Sequence, residues 1–351
     1  MKLFKYIFFL LLILVIAGAI YIVTLEGSFK VEKNRASPAP AEVVFKEVNN
    51  FKNWKKLPFW KEDDRDFKTT IQEDSVGKTN GFSWESDDYF NGDLTNQKII
   101  PNKKIEQKLL FETAVGEAEG KVVWNFITTE NGSKLKLTIS GELGFWAKAY
   151  QKTQDKKFEQ RLSEFFDKIL KNIDQRVTDK ISQYDLHVDG NLKMEGFHYL
   201  YSTSASRNTP ADLKKNRVRL LKEVQNFMKK NKLQITGPPL MVYNQVDQEN
   251  NSVIISAGYP TMKNSRGRPD VNILKAYMKP VAAIKTSLKG NYSNLKKGWG
   301  STENFIEKSN FEIDQSRNRF EIFTHTKDDS PNPADWVTEL YYPVKQKNQK
   351  E

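Results

Sequence analysis

The sequence of 351 residues contains no cysteine. This absence excludes disulfide bonds, catalysis by a thiolate, and zinc or iron–sulfur centres held by cysteine. Histidine is also scarce, since His187, His198 and His325 are the only three and lie far apart in the sequence. The sequence also lacks a G-x-S-x-G elbow, a P-loop, an H-E-x-x-H motif and a dinucleotide-binding fingerprint. We therefore expect no recognisable catalytic residues, no metal site and no cofactor.

The chain carries an excess of positive charge. Its 55 Lys and Arg residues outnumber 44 Asp and Glu residues, which gives a formal net charge of +11. Such an excess makes nucleic acid the first partner to consider. Most basic residues, however, are lysines spread among acids, as in Asp155-Lys156-Lys157, and no recognition helix or zinc finger is visible. We therefore expect a solvated lysine-rich surface, suited to anionic lipid, and no nucleic-acid partner.

An uncharged segment of about 20 residues, Tyr6 to Leu25, lies near the N-terminus. As a helix it is long enough to cross a hydrocarbon core of about 30 Å. Lys2 and Lys5 precede it, which favours a cytoplasmic N-terminus and an external, periplasmic body. A cleaved signal peptide is the alternative, but its apolar region is typically about 7–15 residues long and ends at small residues. Residues 1–28 are therefore predicted to form an uncleaved, single-pass membrane anchor.

Residues 29–179 are predicted to form the first folded module. Phe29 to Ser37 is predicted to be a short stalk that opens with a strand at Phe29 to Glu32. This stalk and a helix at Ala41 to Val48 precede a series of strand-like segments. The segments are Gly81 to Glu85, Lys104 to Glu112, Glu119 to Thr128 and Lys134 to Gly141, with Asn131-Gly132 as a hairpin turn. A long helix follows, because apolar residues recur there at spacings of three and four. These residues are Phe158, Leu162, Phe165, Phe166, Ile169, Leu170, Ile173 and Val177.

An antiparallel sheet that grips one long C-terminal helix is a helix-grip arrangement. The module resembles the polyketide cyclase/START-like superfamily, often called SRPBCC, in residues 39–45, 48–54 and 82–84 and in the terminal helix. This resemblance implies an apolar ligand held between the sheet and the helix. Aromatic residues are the candidates for lining such a cavity. They are Trp84, Phe111, Trp124, Phe126, Phe145 and Trp146. The alternative for each is that it only fills the core.

Residues 184–345 are predicted to form the second module, after an interdomain joint at residues 179–189. It contains two βαββ units about 80 residues apart. The first has strands at Lys193 to Thr203, Leu240 to Val246 and Ser252 to Tyr259, with a helix at Thr209 to Lys230. The second has strands at Met278 to Leu288, Arg319 to Thr326 and Trp336 to Val344, with a helix at Tyr292 to Lys308. Neither unit is large enough to close a core, so we expect one antiparallel sheet with both helices on one face. Residues 346–351 are predicted to form a polar tail.

The second module resembles the gyrase-inhibitory-protein-like fold, which AraC-type effector-binding domains share. The resemblance lies in residues 237–243, 290–299, 320–323 and 335–344. It implies a groove that holds bulky, often cationic, aromatic ligands against an acid, and the acid falls on Glu321, whose repeat counterpart is Met241. Aromatic rings add cation–π attraction to such a groove. The candidates for these rings are Tyr243, Tyr259, Trp299, Phe305 and Tyr341. The alternatives are an exposed Glu321 and rings that only fill a core.

The sequence thus favours an α+β protein behind one transmembrane helix, with a helix-grip domain and a duplicated βαββ domain. We expect a bacterial, non-catalytic sensor, carrier or scavenger of small hydrophobic, amphipathic or cationic aromatic molecules. A hydrolase is one alternative, in which Glu321 is the general base and Tyr243 or Tyr341 donates a proton. A structural envelope or adaptor protein is the other. The ligand, the oligomeric state and any coupling between the domains stay open.

Overall fold

The computed structural model describes residues 2–57, 67–73, 79–86, 91–113, 116–129, 132–265, 267 and 272–347. The chain divides into two compact units, Met1–Asp179 and Lys180–Glu351, each of which is considered by itself. Both units combine helices with an antiparallel sheet, so the α+β class is confirmed.

Helix α1 spans Lys2–Thr24 at the start of the first unit. Its Leu3–Thr24 segment is long and apolar enough to cross a membrane, by length and composition, although a signal sequence meets the same criteria. Its side chains are mostly exposed and none of the apolar window is packed into a core. The apolar helix predicted near the N-terminus is therefore present.

A seven-stranded antiparallel sheet forms the body of the first unit, in the order β1-β7-β6-β5-β4-β3-β2. The strands are Ser28–Ser37 (β1), Lys68–Glu73 (β2), Thr79–Glu85 (β3), Gly92–Ile100 (β4), Lys104–Thr113 (β5), Gly116–Thr129 (β6) and Gly132–Glu142 (β7). The helices that follow α1 are Ala41–Asn49 (α2), Phe51–Trp54 (α3), Phe145–Gln151 (α4) and Phe158–Ser182 (α5). Consecutive strands from β2 to β7 are neighbours in the sheet. Strand β1 pairs with β7 and forms the edge opposite β2.

Helix α5 packs its apolar stripe onto this sheet. The stripe from Leu162 to Val177 is fully buried. Its Phe165 ring stacks on Trp84 with 5.0 Å between the centroids, and its Phe166 ring lies 6.2 Å from Trp124. Burial of each such side chain contributes roughly 1.5–3 kcal/mol, so the stripe holds the helix on the sheet. The helix-grip arrangement predicted from the spacing of apolar residues is confirmed.

The expectation of a stalk at residues 29–37 was wrong. Strand β1 pairs along its whole length with β7, for example Val31 with Ile139. Phe29 and Val31 are buried while their neighbours are not, which is the period-two pattern of a half-buried strand. The predicted turn at Asn131 lies outside the described residues, and Gly132, with a φ of 143°, begins β7.

A buried ion pair links α2 to α5 in the first unit. Glu47 is 1% exposed, and its Oε1 accepts a hydrogen bond of 2.6 Å from Nε of Arg176. Its other carboxylate oxygen accepts a hydrogen bond from the Asn53 amide. A carboxylate that leaves water this completely needs such partners to offset its lost hydration.

The second unit is built on a nine-stranded sheet, with eight strands in the order β12-β9-β11-β10-β15-β16-β13-β8 and β14 paired to β16. The strands are Tyr184–Met194 (β8), Phe197–Arg207 (β9), Leu240–Asp247 (β10), Ser252–Pro260 (β11), Leu274–Met278 (β12), Val281–Gly290 (β13), Phe311–Ile313 (β14), Phe320–His325 (β15) and Val337–Gln346 (β16). The helices are Pro210–Lys230 (α6) and Leu295–Glu307 (α7). Thr209 caps α6 by accepting a hydrogen bond from the Asp212 backbone amide.

The duplication predicted from the sequence appears in the centre of this sheet. The second strands of the two predicted βαββ repeats, β10 and β15, pair antiparallel, with Met241 opposite Glu321. Leu240 pairs with Ile322 and Val242 pairs with Phe320, so the pairing is symmetric about that central pair. A pseudo-twofold axis therefore passes between Met241 and Glu321.

Several element boundaries differ from expectation. The residues expected to form the joint, 179–189, belong to regular elements, since α5 continues to Ser182 and β8 begins at Tyr184. The strand expected at residues 193–203 is divided between β8 and β9, and the one at 278–288 between β12 and β13. Pro280 stands at the second break and has no backbone N–H for a ladder. Strand β16 also extends to Gln346, into the predicted tail.

The two faces of the second sheet carry different clusters. One face packs against both helices, through Leu220 of α6 and Trp299 of α7, and it includes Met241 and Phe323. The opposite face carries Phe320 and other residues that do not join that cluster. We call the first the helix-covered face. Because side chains alternate along a strand, Glu321 shares this face with Phe323.

Arg176→Met is expected to lower the free energy of unfolding by on the order of 3 kcal/mol, because it leaves the Glu47 carboxylate buried without its cation. Urea denaturation of the full chain in detergent, followed by circular dichroism, measures the change. Lys46→Met is the matched control, since the exposed Lys46–Glu42 pair on α2 is worth about 0.3–0.5 kcal/mol. Equal losses in the two variants would contradict a stabilising role for the buried pair.

Candidate functional site

Glu321 lies at the centre of the helix-covered face and is 0% exposed. Its Oε1 accepts a hydrogen bond of 2.6 Å from the Tyr243 hydroxyl group and one of 3.1 Å from the Trp299 indole N–H. Tyr243 stands on β10 and Trp299 on α7, so each repeat unit contributes one donor. The two rings meet edge to face at 5.9 Å.

The second oxygen of this carboxyl group is unpaired. Within the described part of the chain, Glu321 Oε2 is buried and has no hydrogen-bond partner. Arg319 Nε and Thr338 Oγ1 share this property among the described residues; Arg319 directly precedes β15 and Thr338 stands on the neighbouring strand β16. Leaving a buried polar group unpaired costs about 1–3 kcal/mol, and more where the group is charged. The second unit therefore concentrates unpaired polar atoms near its pseudo-twofold axis.

Arg319 precedes Glu321 by two residues and faces the same side of the sheet. Its guanidinium carbon lies 4.7 Å from the Trp299 ring centroid and 5.0 Å from that of Tyr243. Tyr342 is a third ring near this group, at 5.7 Å. Nη1 of Arg319 also contacts Glu303, 3.3 Å away. Cation–π attraction therefore holds this guanidinium over the rings that donate to Glu321.

A second arginine approaches from helix α6. Arg217 is only 6% exposed, and its guanidinium carbon lies 3.9 Å from the Tyr292 ring centroid and 4.6 Å from that of Phe323. Phe323 follows Glu321 by two residues on β15, whereas Arg319 precedes it by two. The two cations therefore lie on opposite sides of Glu321 along the strand. We call Glu321, Tyr243, Trp299, Arg217 and Arg319 the Glu321 site.

Burial dominates the proton affinities in this site. It raises the pKa of Glu321, although the Tyr243 hydrogen bond, Arg217, the Trp299 hydrogen bond and Arg319 all oppose the rise. Burial, followed by the nearby Glu321 charge, also raises the pKa of Tyr243 well above its ordinary value. Tyr243 therefore keeps its proton near neutral pH and serves as a donor. Glu321 holds its proton to a higher pH than an exposed glutamate.

The structure brings together three of the six residues expected in the groove: Glu321, Tyr243 and Trp299. It does not bring the other three to Glu321. Tyr259 packs with Leu200, Val224 and Met228. Phe305 is 38% exposed on α7.

Tyr341 lies on the opposite face of the sheet from Glu321. It stacks on Phe320 at 4.9 Å and donates a hydrogen bond to Glu339. The physical reason is strand alternation, since Leu340 and Tyr342 on either side of it contact the helix-covered cluster.

Sequence reasoning missed both arginines, together with Tyr292, Phe323 and Tyr342. Arg217 had a usable signal, because it stands three residues before Leu220 and seven before Val224, on the buried stripe of α6. A cation on an apolar helix stripe is unusual unless it has a partner. Arg319 could have been found from its position two residues before Glu321, since residues two apart on a strand share a face.

The candidates for the helix-grip cavity lie in two places. Trp84, Phe111, Trp124 and Phe126 are buried on the strands, and Phe111 stacks on Phe158 of α5 at 4.6 Å. The Trp124 indole N–H donates to Gln107 Oε1 at 2.8 Å. On α4, Phe145 is half-buried and Trp146 is 65% exposed, with 5.0 Å between the two rings. A ligand cavity beneath the α5 helix stays a prediction.

The described residues contain no group of three or more His, Asp or Glu side chains arranged to hold a metal ion. In the Glu321 site the only acid in hydrogen-bond contact with the two donor rings is Glu321 itself. The Glu321 site can therefore form hydrogen bonds, cation–π contacts and charge–charge interactions.

No protein-family model and no curated protein matches this sequence. Among solved structures, it is similar to the C-terminal domain of EcmrR, with 16% identity and a TM-score of 0.39 over 46% of this chain and 98% of that domain. EcmrR in a complex with DNA gives 18% identity and a TM-score of 0.39, over 54% and 71% of the two chains. A START superfamily protein from Mycobacterium smegmatis gives 11% identity and a TM-score of 0.30, over 43% and 97%. Likenesses this distant say nothing about ligand or activity.

Glu321→Gln is expected to remove a pH-dependent loss of stability. Because burial raises the folded-state pKa of Glu321, its contribution is fully present below the unfolded pKa of about 4.3 and is lost as the pH rises through the folded value. The free energy of unfolding of the variant should therefore rise relative to wild type between about pH 4 and the folded pKa. Urea denaturation across a pH series measures it. Glu303→Gln, at an acid that is half exposed, is the control, and parallel curves for wild type and Glu321→Gln would contradict the assignment.

Proposed function

We propose that this chain is a membrane-anchored, non-catalytic protein that binds a small organic molecule at the Glu321 site. The observation that carries the proposal is the buried Glu321 carboxyl group, one oxygen of which has no hydrogen-bond partner among the described residues. Folding alone gains nothing from such a group, because an apolar residue in its place avoids the cost of burial. Perturbed, incompletely paired groups among aromatic rings are typical of binding and catalytic sites.

Binding is favoured over hydrolysis by the partners of the carboxyl group. The Glu321 Oε1 atom already accepts hydrogen bonds from Tyr243 and Trp299, which fix the carboxyl group in place. Tyr341, one of the two proton donors considered for a hydrolase, lies on the other face of the sheet. Tyr243 is the remaining donor, and its hydroxyl group already donates to Glu321. The same groups are well suited to hold a ligand in one orientation.

Membrane anchoring is supported by contacts between the end of α1 and the first unit. The Leu143 backbone amide donates a hydrogen bond of 2.8 Å to the carbonyl of Gly27, three residues after α1 ends. Helix α4, which begins two residues later, contacts α1 and carries the exposed Trp146. Tryptophan is enriched where a protein meets the membrane–water interface. An exposed indole at this place fits a span that stays in the membrane.

Trp299→Phe is expected to weaken binding about tenfold, because it removes the indole N–H that orients Glu321 and reduces the ring surface. Thermal shift and native mass spectrometry of the full chain in detergent, with naphthoate, naphthamide and naphthylmethylammonium as probes, measure binding. Phe305→Leu is the matched control on the same helix and should leave affinity unchanged.

Each result of that screen separates the three candidate functions. A saturable shift with the probe recovered intact supports binding. Conversion of the probe to a product of different mass would identify a hydrolase instead. Lack of a shift with every probe would overturn the binding proposal and favour an adaptor.

The anchor has its own test. When the full chain is expressed in bacterial cells, we expect it to stay in the membrane pellet after alkaline carbonate extraction, because an apolar helix of 22 residues spans the bilayer. Intact mass spectrometry should then find residues 1–28 still attached. Release into the supernatant with loss of those residues would show that the segment is a signal peptide.

A further inference from the structure

We propose that the Glu321 site selects a planar organic anion, such as an aromatic carboxylate, whose acidic group is held by Arg319 and Arg217 beside Glu321. The inference rests on the proposed binding function and names the class of ligand. It differs from the cationic aromatic ligand expected from the sequence. The difference arises from the two arginines, which the sequence did not place in the site.

The aromatic faces that a cationic ligand needs are already occupied. The guanidinium group of Arg319 lies over Trp299 and Tyr243, and that of Arg217 lies over Tyr292 and Phe323. A second cation on the same rings would meet two fixed positive charges as well as the acid. Repulsion between like charges is strong where water is excluded, so the arrangement disfavours a cation.

The charges of the site add up in favour of an anion. Arg217 and Arg319 contribute two positive charges, and among the contacts of the described residues the Glu321 carboxyl group accepts only from Tyr243 and Trp299, not from either arginine. Glu303 offsets part of the Arg319 charge, but it is half exposed and contacts only the outer end of that guanidinium group. When Glu321 carries its proton, the buried part of the site is positively charged.

The unpaired atoms are of the kind that an acceptor-rich ligand satisfies. Arg319 Nε can only donate a hydrogen bond, and the Thr338 hydroxyl group can donate one. A protonated Glu321 donates through its O–H, as buried carboxylic acids do in sites that bind an oxyanion. Thr338 pairs with Phe323 across β15 and β16, so it lies on the helix-covered face as a diagonal neighbour of Glu321, whose own cross-strand partner is Leu340. One ligand carboxylate can accept from Arg319, Thr338 and Glu321 only if the three donors converge. Their position on the same face of the sheet allows such convergence.

Protonation of Glu321 couples the binding of an anion to pH. The groups that act on its charge are Tyr243 on β10, Arg217 on α6, Trp299 on α7 and Arg319 directly before β15. Tyr292, above Arg217, is also affected by Glu321, Asp328 and Asp329, and its pKa is raised mainly by burial. Burial raises the pKa of Glu321, so Glu321 is the acid in this set whose negative charge appears as the pH rises through its folded-state pKa. An anion should therefore bind more weakly as the pH rises and Glu321 ionises.

The test compares three probes that share one ring system and differ in charge: naphthoate, naphthamide and naphthylmethylammonium. Isothermal titration calorimetry uses the full chain in detergent. We expect naphthoate to bind most tightly and its affinity to fall about tenfold or more in Arg319→Gln and Arg217→Gln, since each loses a charge-assisted hydrogen bond. Arg219→Gln is the matched control on α6, because Arg219 is exposed and pairs with Glu223. It should leave the affinity unchanged.

Glu321→Gln gives results of opposite sign for the two ligand classes. For an anion, the variant should keep the affinity of wild type at low pH and lose the pH dependence. For a cation, it should abolish binding. Tighter binding of naphthylmethylammonium than of naphthoate, lost in Glu321→Gln and strengthened in Arg319→Gln, would overturn the proposal. Arg217→Lys keeps the charge if Arg217→Gln does not fold, and it should retain part of the naphthoate affinity.

The outcomes also separate this inference from the binding function on which it rests. Binding of the cation at the Glu321 site refutes the ligand class but leaves the binding function intact. Failure of all three probes to bind wild type overturns both. Preferred binding of naphthoate that is insensitive to Arg217, Arg319 and Glu321 shows that the anion lies elsewhere and refutes this site.

Discussion

The pairing of Met241 with Glu321 is the constraint on which the second unit depends. The two central strands meet there, one from each repeat, and the pseudo-twofold axis passes between the two residues. A side chain at this position lies farthest from either edge of the sheet, beneath helices on the same face. Glu321 is therefore 0% exposed in the fold, and its carboxyl group needs partners other than bulk water. The hydrogen bonds from Tyr243 and Trp299 are the direct consequence.

Those partners stabilise the carboxyl group only in part. Two donors converge on one oxygen, while the second oxygen has none among the described residues. The nearby guanidinium groups of Arg217 and Arg319 oppose the rise in the Glu321 pKa, yet both are engaged with aromatic rings instead of with the carboxyl group. The two guanidinium groups are therefore separated from the Glu321 carboxyl group. An ion pair formed only for stability would bring the groups into direct contact.

The sequence predicted the scaffold better than the site. Period-two and period-3.6 patterns identified most strands and the helix stripes, and the repeat marked Glu321 as a charge whose counterpart, Met241, is apolar. The position of each ring depends on strand phase, which a resemblance does not supply; Tyr341 therefore lies on the opposite face from Glu321, one residue out of phase. The placement of Arg217 depends on the rotational phase of α6. The edge strands β8 and β12 depend on breaks of two residues each, at 195–196 and 279–280. These placements could be determined only from the three-dimensional structure.

The asymmetry between the two repeats follows from their symmetry. A residue on a twofold axis faces its own counterpart, and directly opposed residues of an antiparallel pair have Cα atoms only about 4.5–5.5 Å apart. Two glutamates at positions 241 and 321 would therefore oppose each other as buried like charges, which is destabilising. One repeat must carry an uncharged residue if the other is to keep an acid. Met241 fills that place with an adaptable apolar side chain, so a single acid at the axis is what a duplicated βαββ fold can hold.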